Sequence, residues 1–386
     1  MGDGLSTQLG QIAVEEESVE GTAETLVDAD ATQLAYEPSF SPNIERFIRN
    51  PNRATFSQID AVMGKQAASI GWKAELKGSG SADVVPAWAD SILGCGFVQA
   101  TVVTINVGAI TSGPFEPGET VVGGTSAATG RVVGEVKNGA AAVPMVVTSG
   151  TWQSSETITG GTSGASATTS ATVAADKGFE YRPVSTGIPS ETVGYFLDGT
   201  KYMIAGARGN LTIDLRAGEP GFLAFAYEGV YESVTDTALL SPTYESTIPL
   251  AFLNVGASIH DLSAIFTQLS IDMGNTIAER TSANAAKGIL SFKITERDPS
   301  GSIDPEMELV ADHDFYGRYI SGATGRIYAE LPSANAGEKI TIAGPRVQYA
   351  GVSQSDRDQI AVASLDFELK TAGVSAGDDE LQIGIL

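Results

Sequence analysis

The sequence predicts a mainly β protein made of two tandem β-sandwich units, each with a flanking α-helix, plus a small inserted β module. Three observations predict it. The stretch "GTKYMIAGARGN" from Gly199 returns as "GEKITIAGPRVQ" from Gly337, with Gly199/Gly337, Lys201/Lys339, Ile204/Ile342, Ala205/Ala343, Gly206/Gly344 and Arg208/Arg346 matched without a gap. Around both stretches the order is the same: strand, Gly/Ser turn, proline-opened amphipathic run, strand, strand. Upstream of both, residues 101 to 176 hold only seven charged side chains in seventy-six and repeat internally at an offset of 37.

Taken in order, residues 1 to 40 read as acidic and partly strand-like, with "VEEESVEGTAET" too charged for a core. Residues 41 to 66 combine prolines, asparagines and the arginines Arg46, Arg49 and Arg53 without clear periodicity, which predicts a long excursion and a contact surface rather than a core element. Ile70, Trp72, Ala74 and Leu76 alternate with Lys73, Glu75 and Lys77, the pattern of a half-buried strand. Pro86 then opens a short helix with Trp88, Ile92 and Cys95 on one face and Gly96 at its end.

In the low-charge stretch, "FEPGETVVGGTSAATG" and "WQSSETITGGTSGASA" align Phe115 with Trp152, Glu119 with Glu156, and Gly123 to Ser126 with Gly160 to Ser163. Gly-Gly-Thr-Ser between short apolar runs is hairpin-turn chemistry. Neither copy has the lysine that a phosphate-cradling loop requires. The first unit is thus expected over 1 to 100 and 177 to 256, the module over 101 to 176, and the second unit over 257 to 386. After the module, Leu211, Ile213 and Leu215 alternate with Thr212, Asp214 and Arg216, and a turn leads to Phe222, Ala224 and Ala226. In the second unit Leu290, Phe292 and Ile294 alternate with Lys293 and its neighbours. Leu365, Phe367 and Leu369 alternate with Asp366 and Glu368.

Composition excludes several functions. With 47 acidic against 23 basic residues the net charge is −24, and such a surface repels nucleic acid, whose binding depends on cations that displace condensed counterions. Acidity also serves solubility. No run approaches the ~18 apolar residues of a membrane span, and the opening residues lack the basic and apolar regions of a secretion signal, so a chain made and kept in the cytoplasm is expected. The single Cys95 rules out an internal disulfide and reads as a small buried residue. His260 and His313 with one cysteine make no zinc pattern, and "DPSGSIDPE" lacks calcium-loop periodicity. No catalytic site, cofactor or metal is expected, and no nucleophile motif occurs.

The segments "TQLGQIAVEEESVEGTAET", "IERFIRNPNRATFSQIDAVMGKQAASIGWKAELKGSG", "PAWADSILGCGF" and "GTKYMIAGARGNLTIDLRAGEPGFLAFAYEGVYES" together resemble the tail tube (major tail) proteins of long, non-contractile-tailed bacteriophages. The resemblance covers most of the chain outside 101 to 176. It implies sandwich units whose subunits close a ring with a β-barrel lumen, rings that stack into the virion's tail tube, contacts with other tail proteins, and DNA passing through without specific binding. On that implication a doubled unit closes the ring with three chains in pseudo-six-fold symmetry, and Arg46, Arg49 and Arg53 belong to an inter-ring contact loop. The polar strand faces then offer Glu75, Asp214, Glu228, Asp366 and Glu368 as lumen-lining residues, with Lys73, Lys77, Arg216 and Lys293 sharing those faces. The alternatives are an acidic, repeat-containing surface or adhesin protein, and a β-sandwich glycosidase or lyase.

Overall fold

The computed structural model describes residues 4–110, 112–170, 174–373 and 377–386. Residues 1–3 of the acidic opening, and 111 and 171–173 of the expected module, lie outside the described residues. The chain is mainly β. It runs through β1 (Gly10–Glu16), a 3-10 turn (Asp28–Ala31), β2 (Ala35–Phe47), β3 (Val62–Glu75), α1 (Ala89–Leu93) and β4 (Phe97–Asn106). The low-charge stretch holds β5 (Thr120–Gly123), β6 (Thr129–Val132), β7 (Ala142–Ser149), β8 (Thr157–Gly160) and β9 (Ser166–Thr168). Next come β10 (Ala174–Pro183), β11 (Glu191–Leu197), β12 (Thr200–Arg216), β13 (Phe222–Tyr231) and β14 (Thr235–Asp236). The remainder contains β15 (Ser258–Ile259), β16 (Gln268–Asp272), β17 (Asn275–Thr281), β18 (Ile289–Arg297), β19 (Ser300–Ile303), α2 (Phe315–Ser321), β20 (Thr324–Leu331), β21 (Ile340–Arg357), β22 (Ile360–Leu369) and β23 (Gln382–Ile385).

Hydrogen-bonded neighbours give β2–β3–β13–β12 in the first half and β16–β19–β22–β21 in the second, every pair antiparallel. The two groups join edge to edge, because the C-terminal half of β12 also pairs with β16, from Thr212 opposite Asp272 to Arg216 opposite Gln268. β12 and β21 are long enough to serve two layers. β12 slips register against β13 between Ala205 and Arg208, and β21 slips against β22 between Tyr349 and Gly351; a bulge bends a strand and turns it away. Their N-terminal halves pair with β11 and β20, β1 and β15 extend those layers, and β14 and β23 pair with the starts of β12 and β21. One apolar cluster fills the space between, running from Ile12 and Trp72 through Leu211 and Ile271 to Phe367 and Ile385.

Several sequence expectations change at this point. The stretch 41 to 66 is not an irregular excursion: β2 and β3 form one long hairpin, paired as far as Phe47 opposite Val62, and only 48–61 forms its tip. Prolines hid it, since Pro38 and Pro42 occupy an edge strand, where a missing donor is tolerated. The charged "VEEESVEGTAET" does enter the interior. The buried Glu17 carboxylate accepts the N–H groups of Gly21 (2.7 Å) and Gly206 (2.6 Å) and the Thr192 hydroxyl (3.1 Å). In the second half the helix begins at Phe315 rather than near Pro305. Asp314 caps it by accepting the Gly317 N–H at 2.7 Å, and Gly322 ends it at φ 66°. β18 lies outside the main sheet, paired only with β17, so Lys293 does not share its polar face.

The low-charge stretch packs around its own core of Ile105, Phe115, Val121, Val132, Val143, Met145, Trp152 and Ile158. Its entry and exit strands, β4 and β10, pair along their length, and β10 continues onto β23. The internal repeat is built as a reciprocal lock. Glu119 accepts hydrogen bonds from the Thr162 and Ser163 N–H groups (3.1 and 3.0 Å) and the Ser163 hydroxyl (2.8 Å). Glu156 does the same for Thr125 and Ser126 at 3.3, 2.9 and 2.9 Å. Each carboxylate therefore closes the Gly-Gly-Thr-Ser turn of the other copy. Glycine is required there, since a Cβ on Gly123 or Gly160 would lie 2.7 or 2.6 Å from a carboxylate oxygen.

Candidate functional site

One face of the eight-strand sheet is covered by the core, and the other is open. Because side chains alternate along a strand, the inward set (Ile70, Trp72, Ala74; Leu211, Ile213, Leu215; Phe225, Tyr227; Leu365, Phe367) leaves an outward set of small polar and acidic residues. Register places these in rows across both halves. One row runs Tyr36, Lys73, Ala224, Thr212, Asp272, Ser300, Glu368, Gln348. The next runs Glu75, Phe222, Asp214, Ser270, Ser302, Asp366, Gly351. Glu75, Asp214 and Asp366 thus fall in one row, Glu368 in the adjacent one, and Glu228 further along β13, opposite Ser69.

These residues are not equivalent. Asp214 and Asp366 stand among exposed or half-exposed neighbours, with Arg216 3.6 Å from Asp214. Glu368 meets Lys370 at 2.5 Å. Glu75 is held down: it accepts the Tyr36 hydroxyl at 2.6 Å and lies 3.5 Å from Lys77. The Tyr36 hydroxyl is pushed up to about 12, first by that hydrogen bond and then by burial. Burial, and then the charge of Glu279 on the neighbouring hairpin, raise the Glu228 carboxyl above its ordinary value.

Two basic residues assigned to the same face leave it. Lys293 sits on β18. Lys77 is 5% exposed, with Nζ donating to the carbonyls of Glu245 and Thr247 at 3.3 and 3.0 Å. Lys73 remains and pairs with Glu37 at 2.7 Å. Sequence reading missed Asp272, which accepts from Asn210 Nδ2 at 2.7 Å; its signal was the short alternating run "QLSID". The face therefore carries Glu75, Asp214, Glu228, Asp272, Asp366 and Glu368 against Lys73 and Arg216, with Lys370 beside Glu368 at its end.

The open face ends at two strand edges. β2 pairs on one side only, with β3, and the last residues of β21, Val352 to Arg357, pair only with β22 among the described residues. Within the chain the corresponding edges are joined, as β12 to β16. Arg46 lies near the end of β2, and Arg49 and Arg53 lie in the tip beyond it; all are exposed. His260 and His313 do not form a metal site: both pack on Tyr349, with ring centroids 4.2 and 6.3 Å away. Among the described residues no cluster of His, Cys, Asp or Glu has metal-binding geometry, and no helix is long and apolar enough to cross a membrane.

Compared with known proteins, the chain matches no family model and no curated protein.

Proposed function

We propose that this chain is a structural virion protein that self-assembles into stacked rings, the tube of a long, non-contractile phage tail. The observation that carries the reading is the joint between β12 and β16. Two four-strand groups of identical order meet head to tail inside one chain, and the same two kinds of edge, β2 and the end of β21, have no further strand partner among the described residues. A head-to-tail contact that repeats by rotation closes a ring, and pairing each open edge with the next chain's edge removes the aggregation hazard of a bare strand. The two groups descend, on this reading, from one duplicated unit, so three chains supply the six positions of the ring.

The open face then becomes the lumen wall. Carboxylates on it repel DNA phosphates, so DNA slides through without specific binding. The low-charge module projects from β4 and β10 on the exterior, and other tail proteins cap the tube. Negative-stain microscopy of the purified protein tests the proposal: rings or tubes are expected, and globular monomers at every concentration would overturn it.

A further inference from the structure

Beyond Lys65, which pairs with Glu279 at 2.6 Å, and Gln66, whose N–H donates to the Lys287 carbonyl, the β2–β3 hairpin extends as an apolar arm. Ile44, Phe47, Val62 and Met63 are all exposed, and the tip adds Ile48 and Phe56 beside Arg46, Arg49 and Arg53. Its counterpart in the second half is docked. The β16–β19 hairpin continues outward as β17–β18, which folds onto the first half, where Ile277, Ile289 and Phe292 close over Ala67 and Val230. The contact runs along β12 and β13 and reaches the C-terminal end of α1 at the base of the hairpin. Asn275 Nδ2 donates to the carbonyls of Cys95 (2.8 Å) and Gly209 (3.0 Å), and Ile294 Cδ1 lies 3.2 Å from where a Cβ of Gly96 would be. A hairpin arm of one strand group thus packs on the strands of the group whose β12 edge it joins, with its base at that group's helix end.

The second half offers a matching surface that no described residue covers. α2 ends at Gly322, which like Gly96 has positive φ, and it presents exposed Tyr316, Tyr319 and Ile320, with Leu309 and Val310 just before it. Glu308 and Asp312 are exposed at the same place, opposite in sign to the arginines of the arm. We propose that the β2–β3 arm docks on a second copy of this chain, at the C-terminal end of α2, in the copy whose β21 edge receives β2. The inference rests on the ring reading and specifies its contact: the arm reaches a neighbour within the ring rather than a neighbouring ring. Apolar area supplies the affinity and the opposite charges fix the approach.

Cysteines at Met63→Cys and Ile320→Cys test it in the assembled protein, since the native Cys95 is buried. A short bis-maleimide is expected to give covalent inter-chain ladders with the double variant and with neither single variant. Reversing the arm with Arg46→Glu, Arg49→Glu and Arg53→Glu is expected to weaken association about tenfold, and adding Glu308→Arg and Asp312→Arg to restore it. Assembly of the double-cysteine protein without a ladder, or wild-type association by the reversed arm, overturns the docking and leaves the ring reading standing. A wild-type chain that stays monomeric at every concentration removes both.

Discussion

Ile213 and Ile271 are register partners across the joint between the two strand groups, each 1% exposed. Their contact is a sample, held within one chain, of the joint that β21 and β2 are proposed to make between chains. Ile271→Ala is expected to cost about 3 kcal/mol in the isolated chain through lost burial and a cavity. Val352→Ala, at the open edge of β21, is expected to cost less than about 1 kcal/mol there and to weaken assembly instead. Thermal melts of monomer set beside sedimentation of assembled protein separate the two. Equal effects in monomer and assembly would contradict the correspondence of the edges.

The reciprocal lock in the low-charge module makes Glu119 and Glu156 its most sensitive positions. Burial opposes the charge of Glu156, but the N–H groups of Gln153, Ser126 and Thr125 and the Ser126 hydroxyl outweigh it and hold the carboxyl below its usual range. Glu119→Gln or Glu156→Gln leaves amide hydrogens facing donors and is expected to cost about 3 kcal/mol. Because the module has its own core, hydrogen exchange should rise in residues 101 to 176 while the body stays protected. Uniform loss of protection would show that the module and the body unfold together.

Glu15 gives the fold a pH dependence. Burial first, and then the charge of Asp30, with Asp90 and Glu24 contributing, push its carboxyl up to about 7 from 4.5. The folded state therefore holds a proton that the unfolded chain releases earlier. That stabilisation is complete below the unfolded value of 4.5 and is lost as pH rises through about 7. Glu15→Gln is expected to raise the melting temperature at about pH 8, by about 1 kcal/mol of stability after solvent screening, and to leave it unchanged near pH 4. An equal shift at both pH values would place the effect elsewhere.

The open face yields a prediction about DNA. Asp214, Asp366 and Glu368 lie in two adjacent rows, with side chains too exposed to matter much for folding. Lysine at all three positions is expected to leave assembly intact and to make the tubes retain DNA, with retention falling steeply as salt rises. Tubes of the variant that pass DNA at the normal rate at low salt would show that this face is not the wall.

Much of this was legible in the sequence, and the exceptions have physical causes. Period-two runs such as Leu211 to Leu215 located the strands because one face is buried and the other is not, and the low charge of 101 to 176 marked a separate core. The outer part of the β2–β3 arm was illegible because its exposed residues from Ile44 to Met63 have no buried face to impose alternation. Lys77 and Glu17 misled for a related reason: backbone carbonyls from 245 and 247, and N–H groups from 21 and 206, satisfy them across long sequence separations. Asp214 and Asp366 could be assigned to a polar face, but their place in one row depends on the β12–β16 joint, which no local pattern specifies.

That joint carries the central claim, and counting chains tests it most directly. Native mass spectrometry of single rings released from assembled protein should give three copies of the chain, the two strand groups of each supplying six positions. Rings of six copies, or a monomer with no larger species at any concentration, would contradict the account.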